Sequence, residues 1–140
     1  MLFVVFQIGD TGYALAAGEV VEILPMLPMR TVRGAPAGMA GSFAYRGDFL
    51  PAVDLCALEL GRPASDRMST RILVVRGHDR AGEARPFGLI VENATDILRC
   101  EPEAFAPFAP GPRGLLQRIE IDAFVPTPLR AGLFDTMAAA

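Results

Sequence analysis

Apolar residues along this chain fall into short blocks separated by glycine, proline and polar turns, the rhythm of many strands rather than of long helices. Leu2-Phe3-Val4-Val5-Phe6-Gln7-Ile8 is β-branched and aromatic, breaks at Gly9-Asp10-Thr11-Gly12 and resumes in Tyr13-Ala14-Leu15, the pattern of a hairpin. Val20-Val21-Glu22-Ile23-Leu24 reads as the next strand, closed by Pro25, and Pro28 fixes a loop ahead of residues 30–33. After Pro36 and Gly38 comes Gly41-Ser42-Phe43-Ala44-Tyr45, with Phe43 and Tyr45 on one strand face. Arg46-Gly47-Asp48 supplies a turn into Phe49-Leu50-Pro51-Ala52-Val53, where Pro51 suits an edge or a strand end.

Asp54 is placed to cap a short helix running to Leu60, with Gly61 as its stop. Residues 62–70 are polar and turn-rich and read as the connector to a second group of strands over 71–76, 87–92 and 94–99, with a polar hairpin tip at 77–85. Residues 101–114 carry four prolines and little periodicity. Residues 115–121 form a last strand candidate, and Thr127-Pro128 starts a helix presenting Leu129, Leu133 and Met137 on one face. The two halves look alike in kind, each strand-rich and followed by a short helix, without a visible sequence repeat.

Composition narrows the function. Fourteen glycines and 12 prolines among 140 residues, beside 51% hydrophobic residues, exclude disorder and coiled coil. All 13 basic residues are arginine and 16 acids leave a net charge of −3, the wrong balance for a nucleic-acid-binding face. Cys56 and Cys100 belong to no CxxC and read as reduced thiols rather than a disulfide or zinc site. No segment has the length or flanks of a signal peptide or membrane span, so the expectation is a cytoplasmic protein without cofactor or metal.

Catalytic motifs are thin. Asp10-Thr11-Gly12 after an apolar strand matches the way aspartic proteases place a carboxylate, and a small β chain could form half of a dimeric site. The same residues make an ordinary hairpin turn, and only one strand precedes them. The three serines, Ser42, Ser65 and Ser69, lie in no nucleophile elbow, and the only histidine, His78, sits in a polar loop. A lysine-free chain lacks the ammonium that grips phosphate in nucleotide loops. Glu101 and Glu103 read as solvated loop acids. What remains is an acidic β domain whose mean hydropathy of +0.34 suits one that holds other proteins through an apolar surface.

The ordered series of residues resembles the CheW-like coupling proteins of bacterial chemosensory systems. The likeness runs from Phe3 to Gly9 with Tyr13-Ala14-Leu15, through Val20-Val21-Glu22-Ile23, Pro36, Gly41, Tyr45-Arg46-Gly47 and Leu50-Pro51-Ala52-Val53-Asp54-Leu55. It continues through Arg71-Ile72-Leu73-Val74-Val75 and Phe87-Gly88-Leu89-Ile90-Val91-Glu92, covering residues 3–99. Tyr45-Arg46-Gly47 and residues 114–119 are similar to the coupling proteins of surface-sensing (Wsp-type) pathways that control cyclic-di-GMP synthesis.

This resemblance implies an all-β fold of two SH3-like five-stranded β-barrel subdomains, one over about 14–70 and one over about 71–125 with help from the N-terminal strand, plus a C-terminal helix near 127–137. It implies a non-catalytic adaptor coupling a chemoreceptor's cytoplasmic tip to the regulatory domain of a CheA-like histidine kinase, peripheral to membrane-bound receptor arrays and not inserted in the bilayer. Carried over position by position, the receptor-facing groove includes Val20, Gly41, Arg46, Gly88 and Ile97, with Glu22 and Gly47 as partner-binding positions. Taken by themselves, Val20 is a core strand residue, Arg46 a solvated turn charge, and Gly41 and Gly88 turn or bulge glycines. The rival readings are a dimeric aspartic protease using Asp10 and a stand-alone SH3-like peptide-binding module. Two departures matter. Ala44-Tyr45 stands where the family has Asn-Leu, and residues 107–114 leave no room for the family's extra strand and hairpin, so the second barrel is expected to be shortened or open at its edge.

Overall fold

A computed structural model of the chain describes residues 1–139. Among these residues nine strands sort into two five-stranded sheets that share one long strand. In chain order these are β1 (Leu2–Ile8), β2 (Thr11–Ala16), β3 (Val20–Pro25), β4 (Met39–Tyr45), β5 (Asp48–Asp54), β6 (Arg71–His78), β7 (Ala84–Arg99), β8 (Ala109–Gly111) and β9 (Gly114–Arg118). Among the described residues three α-helices accompany them, α1 (Leu55–Leu60), α2 (Ile121–Phe124) and α3 (Thr127–Ala139). The first sheet has the order β3-β6-β7-β5-β4 and the second β7-β1-β2-β9-β8.

The apolar runs are nearly continuous because most strands are buried on both faces. Along β1, Phe3 and Val5 point into one cluster with Ala14, Phe105 and Leu116, while Val4, Phe6 and Ile8 point into another. Along β6, Ile72 and Val74 join Phe43, Leu50 and Ala52, while Leu73 and Val75 join the cluster that β1 feeds. Each sheet therefore has its own apolar interior, and a third, central cluster cements the two together. Period-2 alternation distributes side chains between two cores rather than between core and water.

Four expectations are corrected by this arrangement. The division into subdomains does not fall at residue 70, because β6 pairs with β3 over Val20–Pro25 and the first half of β7 pairs with β5 and β6; the crossing lies inside β7. The strands expected over 87–92 and 94–99 are one strand, re-aimed at Asn93, whose φ of +49° accompanies a register shift against β1. The strand expected over 115–121 stops at Arg118, and Ile121 opens α2 instead; both Ile119 and Ile121 are buried, a period-2 signature without a ladder beneath it. Residues 107–114 do hold a hairpin, since β8 pairs with β9, so the second sheet keeps five strands and its shortness lies in a three-residue β8. Among the described residues β8 pairs only with β9, and an Arg113–Asp96 ion pair at 3.5 Å spans from its turn to β7.

Both helices legible in the sequence form, and the caps of α1 are the ones the sequence offered. Asp54 Oδ1 accepts from the N–H groups of Cys56 and Ala57 at 2.9 and 3.1 Å, and Gly61 ends α1 at a φ of +72°. Helix α3 buries Leu133 and Phe134 against the central cluster, with Phe134 edge-on to Phe87.

Candidate functional site

The β4–β5 hairpin is closed by a two-residue turn in which Tyr45 pairs with Asp48 and both central residues have positive φ, Arg46 at +50° and Gly47 at +81°. That is the twist of a type I′ turn, which matches the twist of the flanking strands and usually selects asparagine and glycine. An arginine held there projects away from the ladder, and its side chain is 73% exposed.

Glu22 of β3 meets it. Arg46 Nη2 donates to Glu22 Oε1 at 2.5 Å, the Tyr45 hydroxyl donates to the same oxygen at 3.1 Å, and the Arg46 guanidinium lies 5.3 Å from the centre of the Tyr45 ring. The Arg46 and Tyr45 bonds hold the Glu22 carboxyl below the usual carboxylate range, and Glu22 raises the Arg46 guanidinium in return. The cluster joins the two outer strands of the first sheet, which share no strand ladder among the described residues. It presents a partly neutralised charge pair on an aromatic platform with free guanidinium donors.

The other expected positions fall into three groups. Gly41, Ala52, Gly88, Val74 and Glu22 form one row across β4, β5, β7, β6 and β3, so the two glycines and Glu22 share a line through the first sheet. Both glycines are buried and structural. A Cβ on Gly41, whose φ is +142°, would sit 2.3 Å from the Arg30 carbonyl oxygen, and one on Gly88 would sit 2.7 Å from Phe43 Cε1. Val20 is half-buried beside its partner Val75, the next row along. Ile97 is 55% exposed but belongs to the second sheet, opposite Val4. The structure thus brings Glu22, Arg46 and Gly47 together and leaves Ile97 on the other sheet. Tyr45, which carried part of the family likeness but was not among the expected binding positions, is part of the cluster.

A second polar assembly lies where β7 crosses between sheets. Glu92 is 7% exposed and accepts from Gly9 N–H at 3.1 Å, Ser65 N–H at 2.7 Å and both terminal nitrogens of Arg62 at 3.3 Å. Burial pushes its carboxyl up, and the Arg62, Ser65 and Gly9 bonds overcome that and hold it down at about 2. It clamps the 62–70 connector and the β1–β2 turn to β7. Asp10 lies exposed in that turn, beside Gly9 at a φ of +60°, a surface hairpin rather than a carboxylate set between strands. Among the described residues no cluster of three or more His, Cys, Asp or Glu side chains could hold a metal, and no helix is long and apolar enough to cross a membrane.

The profile of the CheW-like domain family matches residues 2–122. The chain belongs to the CheW-like domain family. Its relatives include a "Probable chemotaxis protein CheW" of Rhizobium etli, 31% identical over 104 residues, and the "Chemotaxis protein CheW" of Helicobacter pylori, 29% identical over 106 residues. These alignments cover 74% and 75% of this chain but 64% and 61% of those proteins, so the chain spans somewhat under two thirds of the curated relatives it matches. The fold is that of the scaffolding protein TtCheW of Thermoanaerobacter tengcongensis, at a TM-score of 0.71 and 18% identity over 86% of this chain and 84% of that one. CheW-like domains are non-catalytic scaffold domains, which accords with an Asp10 that only turns a corner. Helix α3 lies beyond the matched residues, although its Leu133 and Phe134 complete the shared core.

Proposed function

We propose that this CheW-like domain is a chemosensory coupling scaffold that holds a chemoreceptor's cytoplasmic tip and the regulatory domain of a CheA-like histidine kinase, at the cytoplasmic face of receptor arrays. The observation that carries the reading is the Glu22–Tyr45–Arg46 cluster, with Arg46 exposed, on a family-matched first sheet. The Arg46 fork keeps donors free for partner carbonyls or carboxylates, and the glycine at its side lets a partner backbone approach. In this reading Arg46, Gly47, Val20 and Ile97 touch partners. Gly41 and Gly88 act by letting strands close up beneath the contact surface, and Glu22 orients Arg46. Each contact is expected at about micromolar affinity, roughly −8 kcal/mol, with avidity in the array supplying the rest.

The test is pull-down of the purified chain with a kinase regulatory domain and with a receptor tip, beside Arg46→Glu and Glu22→Lys. Capture by wild type and loss in at least one variant is the expected result. Wild type capturing neither partner sinks the proposal.

A further inference from the structure

We propose that a cleft on the outer side of the β4–β5 hairpin binds an acidic, amphipathic segment of a partner protein, one whose carboxylates flank an apolar side chain. The cleft has a volume of about 520 Å³ and is lined among others by Arg30, Val32, Arg33, Phe49, Arg85 and Met137. It lies between the β3–β4 loop, the β4–β5 hairpin, the start of β7 and the end of α3. Phe49 pairs with Ala44 on the ladder face opposite Phe43 and Leu50, and the residue, 46% exposed, is not spent on the core.

The cleft's charge opposes that of the chain. Among the described residues three arginines and one acid, Asp48, line it, in a molecule of net charge −3. Among the described residues seven of the 13 arginines have a carboxylate within 4.0 Å, and Arg30 and Arg33 have none. Asp48 Oδ1 instead accepts from the Phe49 N–H at 2.8 Å. Arg85 reaches only a 4.0 Å contact with Asp79 and rests 4.9 Å from the centre of the Phe134 ring.

The arginines are also held in place. The Arg30 backbone exchanges two hydrogen bonds with Ser42, at 2.8 and 2.9 Å, and its guanidinium lies 5.3 Å from the centre of the Phe49 ring. Buried Val32 pins the loop between Arg30 and Arg33, so both guanidinium groups start from an anchored backbone. The Arg30 fork beside an exposed ring, with Arg33 on the same anchored loop, suits bidentate carboxylates on either side of an aliphatic or aromatic anchor. A wholly polar polyanion would leave Phe49 and Met137 unused. This site is independent of which partner meets the Glu22–Arg46 contact.

Fluorescence anisotropy with a short labelled peptide of glutamates around a leucine and a phenylalanine tests it directly. The full chain is expected to bind that peptide, about tenfold more weakly or worse as the Arg30→Gln/Arg33→Gln double variant. Phe49→Ala should also weaken binding, while Arg99→Gln, an exposed arginine elsewhere, should leave it unchanged. Melting curves of all variants should stay near wild type, since Arg30→Gln keeps the backbone pair with Ser42. The proposal is overturned if the peptide does not bind, if its lysine-for-glutamate counterpart binds as well, or if the double variant binds like wild type. Complete displacement by millimolar inorganic phosphate also overturns it, because the cleft would then be a simple anion site.

Discussion

Replacing Glu92 by glutamine removes one charge from a nearly buried position and leaves its shape. The carboxylate accepts from two backbone N–H groups and the Arg62 fork, and its pKa falls from 4.5 to about 2. That difference corresponds to about 3 kcal/mol favouring the folded state. The Arg62 side chain is 46% exposed, and solvent screening of its share brings the expected contribution to about 2 kcal/mol. Because the folded pKa is depressed, this stability is present in full above pH 4.5 and drains away as pH falls from 4.5 toward 2. Urea unfolding of wild type and Glu92→Gln at a series of pH values reads both quantities. The variant should be about 2 kcal/mol less stable at pH 7, roughly a 6 °C fall in Tm for a domain of this size, and the gap should narrow toward pH 2. A gap that stays constant with pH, or no gap at pH 7, would refute the assignment of Glu92 as the ionised clamp of the sheet junction.

Other expectations follow from equally specific contacts. Gly88→Ala places a Cβ 2.7 Å from Phe43 Cε1 and 2.8 Å from Ile72 Cγ2, and overpacking of that kind should cost about 1–3 kcal/mol in a thermal melt. Leu133→Ala, at a fully buried α3 position outside the family match, should cost about 2–5 kcal/mol, showing that the last helix is part of the folding unit. Asp54→Ala frees the N–H groups of Cys56, Ala57 and Ala64 together and should destabilise by about 1–2 kcal/mol. Thiol labelling of the native protein at neutral pH should modify Cys100 and spare Cys56, which is buried and whose thiol is pushed up to about 11 chiefly by that burial.

The strands were readable wherever a run of apolar residues ended in glycine, proline or a polar turn, as at Ile8 or Pro25. Their assignment to sheets was not, because β1 and β6 bury both faces and the pattern carries no inside and outside to orient them. Glu92-Asn93 read as a break between strands for a physical reason: a charged residue in an apolar run looks like an exit to solvent. Arg62, 30 residues away, supplies the compensation, and no local signal announces it. The three-residue β8 was hidden for a similar reason, since Pro110 and Gly111 read as loop and form a strand only beside β9. At the candidate site, Glu22, Arg46 and the two glycines were nameable through a family resemblance. That Gly41 and Gly88 lie on one row with Glu22 required the register of four ladders. Tyr45 passed unnoticed as a hydrogen-bond donor because its acceptor comes from a strand 23 residues earlier.

The claim that this domain works by joining two proteins is tested most directly by reconstituting receptor fragments, a CheA-like kinase and the purified chain, and following kinase autophosphorylation. The account predicts that receptor control of the kinase appears only when the chain is added and fades with Arg46→Glu while the variant stays folded. Receptor control that is the same with and without the chain, although both partners bind it, would contradict the account.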